Sequence, residues 1–148
     1  MWSPHLKNDI DLFESIQRSL TKRLEGFENV TYSQRLFKAN LISLELRRLR
    51  ADLVLCFSIV HKLVCIDIAD LFELVTTDRT RGHKFKLRAF KPRIDTRKHF
   101  FGYRIVSVWN DLPEWCVDAS SLKMFKSIIL TVDLSKHMRN DHDKLYFS

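Results

Sequence analysis

Glycine occurs only three times in this chain of 148 residues, which excludes a glycine-rich loop that could cradle a phosphate with main-chain amides. The three cysteines, Cys56, Cys65 and Cys116, are odd in number and far apart. They cannot form a secreted disulfide framework or a Cys-x-x-Cys metal clasp, so an intracellular, reducing compartment, nucleus or cytoplasm, is expected. No apolar run approaches the roughly 18 residues of a membrane span. The opening Met1-Trp2-Ser3-Pro4-His5 has no charged n-region leading into an apolar h-region, so neither membrane contact nor export is expected. Without a secretory signal, the glycosylation sequon Asn29-Val30-Thr31 reads as chance.

Catalytic machinery is equally thin. Two-metal polymerases and nucleases hold their cations about 3.5 to 4 Å apart with clustered carboxylates, yet this chain has no adjacent Asp-Asp pair. Asp9 with Asp11 and Asp67 with Asp70 come nearest, and acids favoured by the dipole at helix starts account for both. His137, Asp141 and His142 cluster in a polar stretch, where a stray metal ion can bind without a built site. No Gly-x-Ser-x-Gly and no Cys/His pairing stands out. The expectation is a non-enzyme with no metal and no cofactor.

What is present is a core and a positive charge. Hydrophobic residues make up 45% and charged residues 29%, enough for burial to offset the entropy of ordering one domain-sized core. Lysine and arginine total 25 against 18 acids, a net charge of +7, which attracts phosphate backbones more than acidic small molecules. A solvated basic surface is the plainer account of the same excess.

The periodicity predicts a first helix from an N-cap at Ser3, with Pro4 at the first helical position, to about Leu24. Ile10, Phe13, Ile16, Leu20 and Leu24 form its packing stripe, and Gly26 stops it. Thr31 and Gln34 form a capping-box pattern that opens a short helix bringing Tyr32, Leu36 and Phe37 toward the core. Ser43 caps a longer helix to about residue 64, with Arg47, Arg48 and Arg50 in its first half and a nearly all-apolar second half in which Cys56 is inert packing. Asp67 to Leu74 is read as one short helix, followed by a loop at Thr76-Thr77-Asp78.

From 79 to 104 the chain carries Arg79, Arg81, Lys84, Lys86, Arg88, Lys91, Arg93, Arg97, Lys98 and Arg104 against one acid, Asp95. Phe85, Leu87 and Ala89 alternate with Lys84, Lys86 and Arg88, the period of a half-buried strand with a basic outer face. Phe85, Phe90, Phe100, Phe101 and Tyr103 interleave with these cations, a pattern compatible with base stacking and equally with core packing. Helical spacing returns from Phe100 to Leu112, Pro113 closes that helix, and Ser120 or Ser121 starts a last one carrying Leu122, Phe125, Ile128 and Ile129. Beyond Lys136 a frayed polar tail is expected. The fold class is therefore mainly α: a small helical bundle at 1–64, a connecting segment at 65–82, a second small lobe at 83–136 with a short strand or hairpin and two helices, and a polar tail at 137–148.

Several words of this sequence stand in a fixed order: Trp2-Ser3-Pro4 with Lys7 and Asp9-Ile10, Glu14 with Gln17-Arg18 and Thr21-Lys22, and Ser43-Leu44-Glu45 with Arg47-Arg48 and Arg50 to Leu53. Further on stand Arg79-Thr80-Arg81-Gly82-His83, Arg97-Lys98 with Phe100-Phe101, Arg104, Trp109-Asn110 with Leu112-Pro113, and Ser121-Leu122 with Phe125-Lys126. In that order and spacing, over residues 2 to 132, the chain resembles the region after the polymerase core in non-LTR retrotransposon reverse transcriptases of the jockey and CR1 type. Asn40 and Ile42 depart from the leucine and proline usual there, and the tail after Lys136 looks unrelated.

The resemblance implies a thumb-like bundle and its downstream extension, which hold template and primer for a palm that performs RNA-directed DNA polymerisation. The family's Tyr-x-Asp-Asp motif lies upstream of what corresponds to Trp2, so polymerase activity is not carried over. Partners would be RNA, DNA or an RNA–DNA hybrid, together with the polymerase palm. Phosphate contacts would come from Arg47, Arg48, Arg50, Arg79, Arg81, Lys84, Lys86, Arg88, Arg97 and Lys98. Trp109 and Leu112 would anchor the second lobe. The rival reading is an orphan or relic protein-interaction module with no nucleic-acid role, whose exposed apolar surface once met the palm.

Overall fold

The computed structural model describes residues 4, 6–75, 83–89 and 101–147. Among them stand seven α-helices and one two-stranded antiparallel sheet, a mainly α-helical fold with a short strand pair. The described residues form two compact units, one drawn from 2–49 together with 133–148, the other from 50–132. This division differs from the expected segments because the long third helix contributes to both units and the C-terminal stretch packs with the first helices.

In the unit built from the chain ends, helix α1 spans Lys7–Lys22. It begins after Leu6, which offers no side-chain cap; the expected cap, Ser3, lies outside the described residues. Gly26, at φ +78°, takes the left-handed conformation that turns the chain away. The inner face of α1 keeps only part of the expected stripe, Ile10 and the half-buried Phe13. Ile10, Glu14 and Thr21 are buried, whereas Ile16, Leu20 and Leu24 are exposed.

Satisfied polar groups explain the exchange. Glu14 accepts from the Tyr32 hydroxyl and from the Leu44 amide at 3.1 Å. Thr21 Oγ1 donates to the Gln17 carbonyl at 2.9 Å, and Gln17 Nε2 donates to the Ile42 carbonyl at 3.0 Å. A carboxylate with two such donors can occupy a buried face that a lone one could not. Burial, followed by the bond to Glu14 and its negative charge, pushes the Tyr32 phenol well above its ordinary range.

Helix α2, Tyr32–Lys38, opens with the predicted capping box: Thr31 accepts from the Gln34 amide, and the Gln34 side chain accepts from the Thr31 amide. Tyr32 and Leu36 are buried, but Phe37, expected in the core, is exposed and meets Tyr146 edge-on instead. Helix α3, Leu44–Val60, starts where Ser43 Oγ accepts from the Leu46 amide at 3.1 Å. It ends short of the predicted Leu63 or Val64, because Lys62 turns left-handed at φ 54° and leaves those two side chains exposed.

The stretch expected to fray is instead hydrogen-bonded into this unit. Asp143, fully buried, accepts from the Ser43 amide at 2.8 Å. Glu45 accepts from the amides of Arg139 at 2.8 Å and Asn140 at 3.2 Å. His142 meets the Tyr32 ring edge-on and lies 3.3 Å from Arg18 Nη2. The last helix, Lys144–Phe147, follows directly. Polar composition suggested solvent, yet Asp143 supplies an acceptor for the Ser43 amide at the start of α3, and Glu45 of that helix in turn accepts main-chain amides of the C-terminal stretch.

In the unit from 50–132, the segment expected as one helix from Asp67 to Leu74 is a 3-10 turn, Ile68–Asp70, capped by Asp67, followed by strand β1, Phe72–Leu74. Its antiparallel partner β2, Leu87–Ala89, pairs Phe72 with Ala89, Glu73 with Arg88 and Leu74 with Leu87. The ladder and the buried Phe72 ring override a weak local helix preference. Helix α4 spans Phe101–Asp111, where an added Cβ on Gly102 would stand 3.1 Å from the Leu71 carbonyl oxygen. Pro113 closes it as predicted and also begins an unanticipated short helix α5, Glu114–Val117. Helix α6, Leu122–Ile128, is capped by Ser121.

The centre of this unit is aromatic. Phe57 stacks on Phe125 at 4.3 Å, and Trp109, fully buried, lies 6.2 Å from Phe125. Cys56 and Cys116 are buried, and burial raises both thiols, Cys116 to about 11.

Candidate nucleic-acid interface

The basic strand is positioned from behind by two consecutive residues of α4. Trp109 Nε1 donates to the Phe85 carbonyl at 2.8 Å. Asn110 bonds Leu87 twice, its Oδ1 accepting from the amide at 2.9 Å and its Nδ2 donating to the carbonyl at 2.8 Å. His83 Nε2 donates to the Trp109 carbonyl at 3.0 Å. With Leu87 2 % exposed, strand alternation sends Lys86 and Arg88 to the opposite face. Burial, the largest influence, holds the His83 imidazole below its ordinary range against the raising effect of the Trp109 carbonyl, and Lys86 adds to the lowering.

The predicted cations fare differently. Lys84 is exposed and pairs with Asp118 at 3.0 Å, with both partners in contact with solvent, so the pair is screened and weak. Arg88 is exposed opposite Glu73 in the ladder, and Lys86 is half-buried. Arg50 Nη2 donates to the Leu130 carbonyl at 3.0 Å and so ties α3 to the end of α6. Arg104, in the same dense basic run, binds the buried carboxylate of Asp52 at 2.7 Å. In the other unit, Arg47 is exposed and Arg48 half-buried on α3. Arg79, Arg81, Arg97 and Lys98 lie outside the described residues.

Of the interleaved aromatics, Phe101 and Phe85 serve packing, and Tyr103 is half-buried on α4. Phe101 is buried against Phe72, and Phe85 is half-buried between His61 and the Lys84 ammonium. Phe90 and Phe100 lie outside the described residues. Sequence reasoning did not single out Asn110 and His83 as the groups that set the strand, although both belong to words that carried the family resemblance.

Among the described residues no group of three or more His, Cys, Asp or Glu side chains could hold a metal ion. No helix among them is long and apolar enough to cross a membrane. Comparison with protein-family models, with curated proteins and with solved structures gave no match.

Proposed function

We propose that the chain is a non-catalytic nucleic-acid contact module of the kind found in the thumb and post-polymerase region of a retroelement reverse transcriptase, acting in the nucleus or cytoplasm. It would meet the phosphates of RNA, DNA or their hybrid, beside a polymerase palm that carries the chemistry. The observation that supports this best is the pair of hydrogen bonds from Asn110 to Leu87, which holds the short strand Leu87–Ala89 with Arg88 exposed on it and with Lys84, in the preceding turn, and the half-buried Lys86 just before it. Rigid main chain beneath flexible cations suits recognition of a regular array of phosphates, which positions a duplex without reading its sequence. Arg47 and Arg48 are a second, separately placed source of positive charge. Arg50 is assigned to structure rather than contact because it holds the Leu130 carbonyl.

The test is salt-dependent binding to duplex and hybrid oligonucleotides. Replacing Lys84, Lys86, Arg88 and Arg47 by glutamine should weaken affinity evenly across sequences. It should also flatten the log K against log salt slope by about 0.7 to 0.9 for each phosphate no longer neutralised. An unchanged slope would defeat the reading.

A further inference from the structure

The outer side of α1 carries apolar side chains that its own unit leaves uncovered: Leu12, Ile16 and Leu20 are 64 %, 56 % and 60 % exposed. They follow the i, i+4, i+8 spacing of one helix face. Two charges share that face, Asp9 seven residues before Ile16 and Arg23 seven residues after it. At 100° per residue, steps of four and seven return to within about 40° and about 20° of Ile16 respectively. The stripe is therefore nearly the same read from either end, except that its end charges are opposite.

That pattern is self-complementary in one arrangement. If two α1 helices lie antiparallel about a two-fold axis beside Ile16, Leu12 of one copy sits beside Leu20 of the other. Asp9 then reaches Arg23 at both ends. A parallel pairing would oppose Asp9 with Asp9 and Arg23 with Arg23, so charge selects the antiparallel register. We propose that this face is an isologous dimer contact whose occupant is a second copy of the chain. The contact is independent of any nucleic-acid role, because the basic strand belongs to the other unit.

Sedimentation equilibrium of the full chain over a range of concentrations tests the proposal. Wild type should show reversible monomer–dimer association, and Ile16→Asp should be monomeric. Asp9→Arg and Arg23→Asp should each weaken the dimer on the order of tenfold, since each turns two attractions into repulsions. The double variant, Asp9→Arg with Arg23→Asp, should restore it, with circular dichroism confirming that all variants fold. A chain that stays monomeric throughout overturns the proposal, including the case in which an unrelated protein covers the stripe. Dimerisation indifferent to the single reversals, or not recovered in the double variant, overturns it as well.

Discussion

Asn110 satisfies both main-chain groups of Leu87, accepting from its amide and donating to its carbonyl. A side-chain amide is the natural group for this task because it presents one donor and one acceptor side by side, as a neighbouring strand would. Asn110→Ala leaves both groups without that partner and should cost about 2 kcal/mol in chemical denaturation, with faster hydrogen exchange at the Leu87 amide. Asn110→Asp keeps the acceptor but sets a carboxylate against the Leu87 carbonyl, so it should not rescue. A loss below about 0.5 kcal/mol in the alanine variant would mean that water replaces both bonds.

The buried imidazole of His83 gives this unit a pH dependence of definite sign. Its Nδ1 is buried with no hydrogen-bond partner among the described residues while Nε2 donates to the Trp109 carbonyl, the arrangement of a neutral ring. Because burial lowers its proton affinity in the folded state, the unfolded chain takes up the proton first as pH falls. Stability should be complete above the ordinary histidine range near 6.5 and decline below it, by at most about 1.4 kcal/mol per pH unit for this one proton. His83→Gln keeps a donor for the Trp109 carbonyl and removes the titration. Denaturation of both proteins between about pH 5 and pH 8 should therefore give profiles that diverge on the acid side, and parallel profiles would refute the assignment.

Asp143 stands 100 residues from Ser43, whose amide it accepts. Asp143→Ala should lower the thermal stability of its unit by about 1 to 2 kcal/mol, the range for losing a charged acceptor at a helix start. Removing residues 138–148 also takes away the Arg139 and Asn140 amides that Glu45 receives and the His142 ring against Tyr32, and should destabilise more. If the truncated chain melts with wild type, the C-terminal stretch contributes nothing to the fold.

Features governed by near neighbours could be read directly from the sequence. Thr31 with Gln34, Ser43 with Leu46, and Ser121 with Met124 are caps closed within three residues, and the helices start where such residues stand, the third at Ser121 of the two serines expected. Features governed by distant partners could not. The Asp67 to Leu74 stretch pairs with a strand beyond Lys86, and Glu14 looks like a solvent-facing carboxylate until Tyr32 and Leu44 are known to donate to it. The candidate site divides in the same way. That Lys84, Lys86 and Arg88 alternate with Leu87 follows from the order of residues, but the engagement of Arg50 by Leu130 and of Arg104 by Asp52 depends on tertiary contacts.

The unit built from both chain ends also sets an order of events during synthesis. Residues 50–132 have all been synthesised before Asp143 exists to receive the Ser43 amide. Helices α1 and α2 are thus made before the segment 50–132 but completed after it, and until then Ser43 and Glu45 must wait with unfilled hydrogen bonds. Contacts of such long sequence separation form slowly. A nascent chain stalled before residue 133 should accordingly hold its α1 and α2 in a state that proteases can still cut.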